Sequence, residues 1–207
     1  MMGELTPHVT VTMVPREATV LHANAQRNPE PKMSRHEVCL LLGATGVGKT
    51  LLLKRLLKLS LQGAVEMDSP PHTLPTVGTN LTDMTLRRKK LTIRELGGCM
   101  GPIWPSYFND CSSVIFVVDS SNIAQVSASC IQLLSVLSAE PLRDASVLII
   151  FNKRDVHCTM SLVEMRSLFR LDDVVACAPQ PITMLEASAR SGTGLREVLA
   201  WLESVAK

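Results

Sequence analysis

Apolar residues fall in short continuous runs more often than in strict alternation, and the runs tend to end at glycine or a polar turn. Val38-Cys39-Leu40-Leu41-Leu42 and Val114-Ile115-Phe116-Val117-Val118 are two such runs, and residues 146–151 form a third. Runs of this kind suit strands buried on both faces. Helical spacing occupies residues 51–59, 123–137, 161–170 and 194–205, and a further short strand is expected at 184–187. Residues 81–86 and 91–96 read as two strands joined by the basic tip Arg87-Arg88-Lys89-Lys90. A solvated turn is the ordinary explanation of that tip, and a phosphate-binding patch is the alternative. Strands alternating with helices predict an α/β fold with a mostly parallel sheet covered on both faces.

Periodicity is weak over residues 1–35, where Pro7, Pro15, Pro29 and Pro31 interrupt the chain. This stretch reads as a flexible leader, and residues 36–207 as one domain. Residues 62–75 carry Gly63, Pro70, Pro71 and Pro75, a longer connection than compact domains usually contain and therefore a candidate functional loop.

Composition narrows the class. Of 207 residues, 46% are hydrophobic and 19% charged, enough to build a full core in one domain. A net charge of +2 offers no electrostatic case for nucleic acid or for an anionic membrane. Cys39, Cys99, Cys111, Cys130, Cys158 and Cys177 form no CxxC pair. They are expected to be mostly buried, reduced thiols of a cytoplasmic protein. No apolar stretch approaches the ~18 residues of a membrane span, and the N-terminus has no signal-peptide core. Initiation at Met2 would expose Gly3 for acylation, but Pro7 stands where the myristoylation pattern requires Ser or Thr, so no lipid anchor is expected.

The strongest chemical signal is Gly43-Ala44-Thr45-Gly46-Val47-Gly48-Lys49-Thr50, which satisfies GxxxxGK[ST] between a strand and a helix. Its glycines allow the backbone to wrap phosphates, and its amides and the helix N-terminus donate into negative charge. Lys49 is expected to reach the β- and γ-phosphates, and the Thr50 hydroxyl to ligate magnesium. This motif points to a nucleoside triphosphate without choosing the base.

Asn152-Lys153-Arg154-Asp155 follows a strand directly, at the sheet edge where such folds bind ligands. The Asp155 carboxylate can accept from guanine N1–H and its exocyclic amine, a pair that adenine lacks. Asn152 can brace the loop and approach N7, and the stem of Lys153 can lie over the base. Ser188-Ala189-Arg190 follows the next strand, where the Ala189 amide could face guanine O6.

With these motifs in order, and with Thr76-Val77-Gly78-Thr79-Asn80, Arg94-Glu95-Leu96-Gly97-Gly98-Cys99 and Tyr107-Phe108-Asn109-Asp110, the chain resembles the ADP-ribosylation-factor-like small GTPases over about residues 37–205. The resemblance implies a P-loop NTPase of small GTPase fold, a six-stranded mixed sheet flanked by helices with a two-strand hairpin at about 81–96. It implies exchange of GDP for GTP, rearrangement of two switches and of that hairpin, and effector binding in the GTP form. Thr76 would close switch I over magnesium and the γ-phosphate, and the Gly98 amide would sense the γ-phosphate. Catalytic positions then comprise Lys49, Thr76, Gly98 and Cys99, and metal positions Thr50, Thr76 and Glu95.

Two positions depart from the family pattern, which has aspartate at Glu95 and glutamine at Cys99. Glu95 can support magnesium through water, although its extra methylene moves the carboxylate in a crowded shell. A thiol at Cys99 cannot supply the donor and acceptor of an amide that orients water. The expected function is a monomeric GTP-binding switch with slow or partner-dependent hydrolysis, served by a protein effector and by exchange or activating factors. A scaffold that binds guanine nucleotide without cycling is the alternative. A nucleotide kinase would need an acceptor pocket with clamping arginines, for which there is no ordered candidate set.

Overall fold

Six strands form one sheet in the order β2-β3-β1-β4-β5-β6. Their ranges are β1 Val38–Leu42, β2 Thr79–Leu86, β3 Lys89–Leu96, β4 Ser113–Asp119, β5 Ser146–Asn152 and β6 Ile182–Glu186. Only β2 runs antiparallel to its neighbour, and every other pairing is parallel. The helices are α1 Lys49–Gln62, α2 Ile123–Leu137, α3 Leu162–Leu168, α4 Leu171–Cys177 and α5 Leu195–Val205. This computed structural model describes residues 38–63, 72–157 and 159–206. The six-stranded mixed sheet is the architecture that the family resemblance implies.

Continuous apolar runs become central strands because each face of the sheet is covered, and successive side chains divide between the two cores. Cys39 and Leu41, Ile115 and Val117, and Leu148 and Ile150 pack with α1 and α5. Leu40 and Leu42, Val114, Phe116 and Val118, and Ile149 and Phe151 face α2, α3 and α4. Each such side chain contributes about 1.5–3 kcal/mol of burial. Trp104 adds an edge-to-face contact with Phe116, with ring centroids 6.4 Å apart. Parallel pairing also aligns strand ends: Asp119 lies opposite Asn152, and Phe151 opposite Glu186. The loops after β1, β4, β5 and β6 therefore open on one edge.

Several elements differ from the sequence reading. Helix α1 begins at Lys49 and ends on Gly63, whose left-handed backbone (φ 68°) lets its amide bond the Leu59 carbonyl. The hairpin turn is only Arg87-Arg88, with Lys89 and Lys90 already in β3. All four residues of the tip are exposed, as expected of a solvated turn, but two of them also make tertiary contacts. Arg87 pairs with Glu203 at 3.2 Å, and Lys89 Nζ donates to the Ala206 carbonyl at 2.6 Å, so the tip is tied to the C-terminal end of α5.

The helix expected at 161–170 is α3, and α4 after it is an element that the periodicity does not announce. Ser161 and Glu164 form a reciprocal capping box at the start of α3, and Arg170 then turns left-handed (φ 47°) before α4. A 3-10 helix also covers Gly98–Asp110, a stretch without an expected element, and holds Pro102 and Pro105.

The thiols correct another expectation. Cys39 is buried, Cys111 and Cys130 are half-buried, and Cys99 and Cys177 are exposed, so the described cysteines are not mostly buried. They suit an uncharged state where burial is deepest, since burial pushes the Cys39 and Cys111 thiols up to about 12. Among the described residues no helix is long and apolar enough to cross a membrane. The leader expected at 1–35, residues 64–71 of the long loop and Cys158 lie outside the described residues.

Candidate functional site

The loop between β1 and α1 is shaped by contacts that exclude side chains. A Cβ on Gly43 would stand 2.3 Å from the Val117 carbonyl oxygen, and one on Gly48 would stand 2.6 Å from Asn152 Nδ2. Both glycines also hold positive φ, which other residues adopt at a cost. The loop can therefore lie flat on β4 and reach the loop after β5. Val47 is fully buried and anchors the loop in the core, and Thr45 and Gly46 are exposed.

Lys49 is buried, and its Nζ donates to the carbonyls of Gly43 at 2.8 Å and Ala44 at 2.9 Å. Its charge is thus held inside the loop. Burial lowers its pKa to about 8, an effect opposed by the Glu95 carboxylate nearby. An ammonium held against loss of solvent is a ready partner for an anion.

The three residues expected at a metal come together from α1, the segment before β2, and β3. Thr50 Oγ1 donates to Glu95 Oε1 at 2.5 Å, Thr76 Oγ1 donates to the same oxygen at 3.1 Å, and the two hydroxyl oxygens lie 2.9 Å apart. Glu95 is buried, with 1% of its surface exposed. Its extra methylene has a definite consequence, because the carboxylate reaches both hydroxyls directly. Three hard oxygen donors around one buried negative charge fit magnesium. A cavity of about 190 Å³ opens beside them, bounded also by Thr45, Lys49 and Gly98.

Gly97 and Gly98 close this side. The Gly97 amide donates to the Gly78 carbonyl at 3.0 Å, joining the segment after Thr76 to the end of β3. A Cβ on Gly98 would stand 2.2 Å from the Thr45 amide nitrogen, so only glycine lets the chain lie this close to the P-loop. Cys99 follows as an exposed residue at the start of the 3-10 helix. Trp104 Nε1 bonds the Gly97 carbonyl at 3.1 Å and pins the segment to the core.

Asn152 unites the other half of the site. Its Nδ2 donates to the Val47 carbonyl at 2.7 Å, and its Oδ1 accepts from the Ala189 amide at 3.0 Å. Asp155 is exposed, and its Oδ1 accepts from Ser188 Oγ at 2.6 Å. Lys153 holds a left-handed backbone (φ 68°) and pairs with Asp119 Oδ2 at 2.6 Å. Arg190 is exposed, and its carbonyl accepts from Arg55 at 3.3 Å, which makes it a part of the loop frame. The structure thus gathers the P-loop, Asn152, Lys153, Asp155, Ser188 and Ala189 along one edge, with Thr50, Thr76 and Glu95 clustered beside Lys49.

Sequence reasoning passed over two residues here. Asp119, almost fully buried, holds Lys153 with one oxygen and the Ser121 amide and hydroxyl with the other. Its signal is its place at the end of a buried strand parallel to the one that ends in Asn152. Gln125 donates to the Thr45 carbonyl at 3.0 Å, a contact across 80 residues that no local motif announces.

Known proteins agree with this geometry. The sequence profile of the ADP-ribosylation factor family matches residues 26–206. The chain is 61% identical over 175 residues to ADP-ribosylation factor-like protein 16 of Homo sapiens, covering 84% of this chain and 88% of that protein. It is 33% identical over 170 residues to ADP-ribosylation factor-like protein 1 of Saccharomyces cerevisiae, covering 81% and 86%. The solved Arl6 BBS3 small GTPase from Trypanosoma brucei, with bound nucleotide analogue GppNp, superposes with a TM-score of 0.69 at 22% identity, covering 82% of this chain and 96% of that one. That last likeness concerns the fold. Sequence and sheet topology converge, and the chain belongs to the ADP-ribosylation factor family of GTP-binding molecular switches.

Proposed function

We propose that this family member binds GTP and GDP at the edge formed by the P-loop, the 152–155 loop and the 188–190 loop, and that its own GTP hydrolysis is slow or depends on a partner. The observation that carries the base-site assignment is the double bond-making of Asn152, to Val47 of the phosphate loop and to Ala189 of the last loop. One side chain sets the spacing between a phosphate site and a base site. Asp155 would read guanine N1–H and the exocyclic amine, and the Ala189 amide would meet O6. Lys49 would turn from the loop carbonyls to the β- and γ-phosphates.

Thr50, Thr76 and Glu95 would hold magnesium, which when bound neutralises phosphate charge. Thr76 and Gly98 would respond to the γ-phosphate by ordering the segments that carry them, which prepares a surface for a protein effector. Cys99 offers no amide to orient water, which supports slow turnover without an activating factor.

Affinities for GTP, GDP and ATP in the presence of magnesium test the proposal. Tight binding of both guanine nucleotides and weak binding of ATP is the expected result. Equal affinity for ATP and GTP would sink the base-site assignment. Retention of GDP without GTP would support the non-cycling scaffold instead. Single-turnover hydrolysis by Cys99→Gln should exceed the wild type, and an unchanged rate would show that the missing amide at this position is not the main limit.

A further inference from the structure

Glu95 is a buried acid whose partners are hydroxyls. Its carboxylate accepts from Thr50 and Thr76, and among the described residues it makes no ion pair. The Lys49 ammonium feels its charge but is bonded to the carbonyls of Gly43 and Ala44 instead. Charges buried in folded proteins are paired or coordinate a metal. Glu95 lines the same cavity as Thr50 and Thr76, so a cation entering there meets all three side chains.

The spacing of these oxygens bears on how they would meet it. Magnesium takes six oxygens at about 2.0–2.1 Å in near-ideal octahedral geometry, which sets neighbouring ligands about 2.9 Å apart. Glu95 Oε1, Thr50 Oγ1 and Thr76 Oγ1 form a triangle with sides of 2.5, 3.1 and 2.9 Å. That triangle is close to one face of such an octahedron. The position of Glu95 along β3 is set by its pairing with Leu41 of β1 and Asn80 of β2. Its reach toward the hydroxyls is therefore a matter of side-chain length. An aspartate in the same register would end one methylene farther back, leaving room for a water.

We infer that Glu95 ligates magnesium directly, its extra methylene taking a position that water fills when the residue is aspartate. This rests on the reading of the edge as a guanine-nucleotide and magnesium site, and it sharpens that reading at one residue. Thr50, Thr76 and Glu95 then present one face of ligands from the chain. The remaining positions go to phosphate oxygens and water, and the carboxylate holds its ligand without a water between.

Manganese in place of magnesium tests this, because its electron spin echo in deuterated water reports the waters bound to it. The full chain is loaded with a non-hydrolysable GTP analogue and kept in excess over manganese. Guanine-nucleotide affinity and thermal midpoint are measured first. Glu95→Ala should hold about one more bound water than the wild type, since the vacated octahedral position fills. Glu95→Asp keeps the charge and shortens the stem, and should gain the same water, which separates reach from any loss of fold in Glu95→Ala. An unchanged water count in Glu95→Asp, or in a folded Glu95→Ala, would overturn direct ligation. A wild type that binds no guanine nucleotide would overturn the underlying reading as well, and the affinity measurement shows this before any water is counted.

Discussion

The two halves of the nucleotide edge are built differently. On the base side, polar groups are tied between strand ends: Asn152 to Val47 and Ala189, Ser188 to Asp155, and Lys153 to Asp119. These groups follow β4, β5 and β6, whose register is locked by parallel pairing. On the phosphate side, Thr50, Thr76 and Glu95 bond mainly to one another. Thr76 sits on a segment flanked by the exposed Leu74 and Val77. Its connection to the fold runs through that cluster and through the bond from Gly97 to Gly78. The edge proposed to read the base therefore rests on a frame assembled with the core, whereas the proposed response to the γ-phosphate rests on a segment with few buried contacts. Segments of that kind open at low free energy. A switch needs both, one part that holds its ligand and another that changes with it.

Substitutions can break this comparison, and the largest effect is expected at Asp155. Asp155→Ala removes the acceptor for two hydrogen bonds of about 1–3 kcal/mol each, so GDP and GTP affinity should fall together by roughly 100-fold. Isothermal titration with both nucleotides measures this, and a loss confined to GTP would mean that the base side also responds to the γ-phosphate.

Gly98→Ala comes next. Its Cβ has no room against the Thr45 amide, and relief of such a clash costs about 1–3 kcal/mol. The 3-10 segment should lift from the P-loop, lowering GTP affinity by about tenfold with little change for GDP. Equal losses for both nucleotides would show that Gly98 supports the P-loop itself and not the γ-phosphate response.

Glu95→Gln should act through the metal. It removes the buried charge that both hydroxyls meet, an interaction of about 1.5–3 kcal/mol. The magnesium concentration that half-saturates GTP binding should rise by about tenfold, read by titrating magnesium against a fluorescent GTP analogue. No change in the magnesium requirement would place the ion elsewhere.

Asp119→Asn should have the smallest effect. Lys153 is about one-third exposed, so solvent screening limits the pair to about 1 kcal/mol or less. A few-fold loss of GDP and GTP alike, with faster dissociation of both, is the expected outcome in stopped-flow release. A nucleotide-dependent difference would connect this pair to the switch side.

Much of this edge could be read before folding. The P-loop needs glycines and a lysine at fixed spacing because phosphate wrapping is a local backbone problem, and the motif is contiguous. Buried parallel strands are legible for a similar reason, since covering both faces removes polar alternation. Elements that depend on distant partners were harder to see. Helix α4 follows a left-handed turn at Arg170 that no glycine or proline signals. The 3-10 helix over Gly98–Asp110 tolerates two prolines because Trp104 and Phe108 bury beside the sheet. The basic tip found its partners in α5, more than a hundred residues away.

The sequence alone determined the fold class, the order of the site loops and the chemistry each can bring, because strand periodicity and phosphate recognition are written in neighbouring residues. Only tertiary structure decided how those loops join. It placed Glu95 in direct contact with Thr50 and Thr76, set Asp119 behind Lys153, and brought Gln125 to the P-loop beside Gly98. These contacts depend on strand register and on how α2 packs against the sheet, and both are properties of the whole core that no local spacing contains.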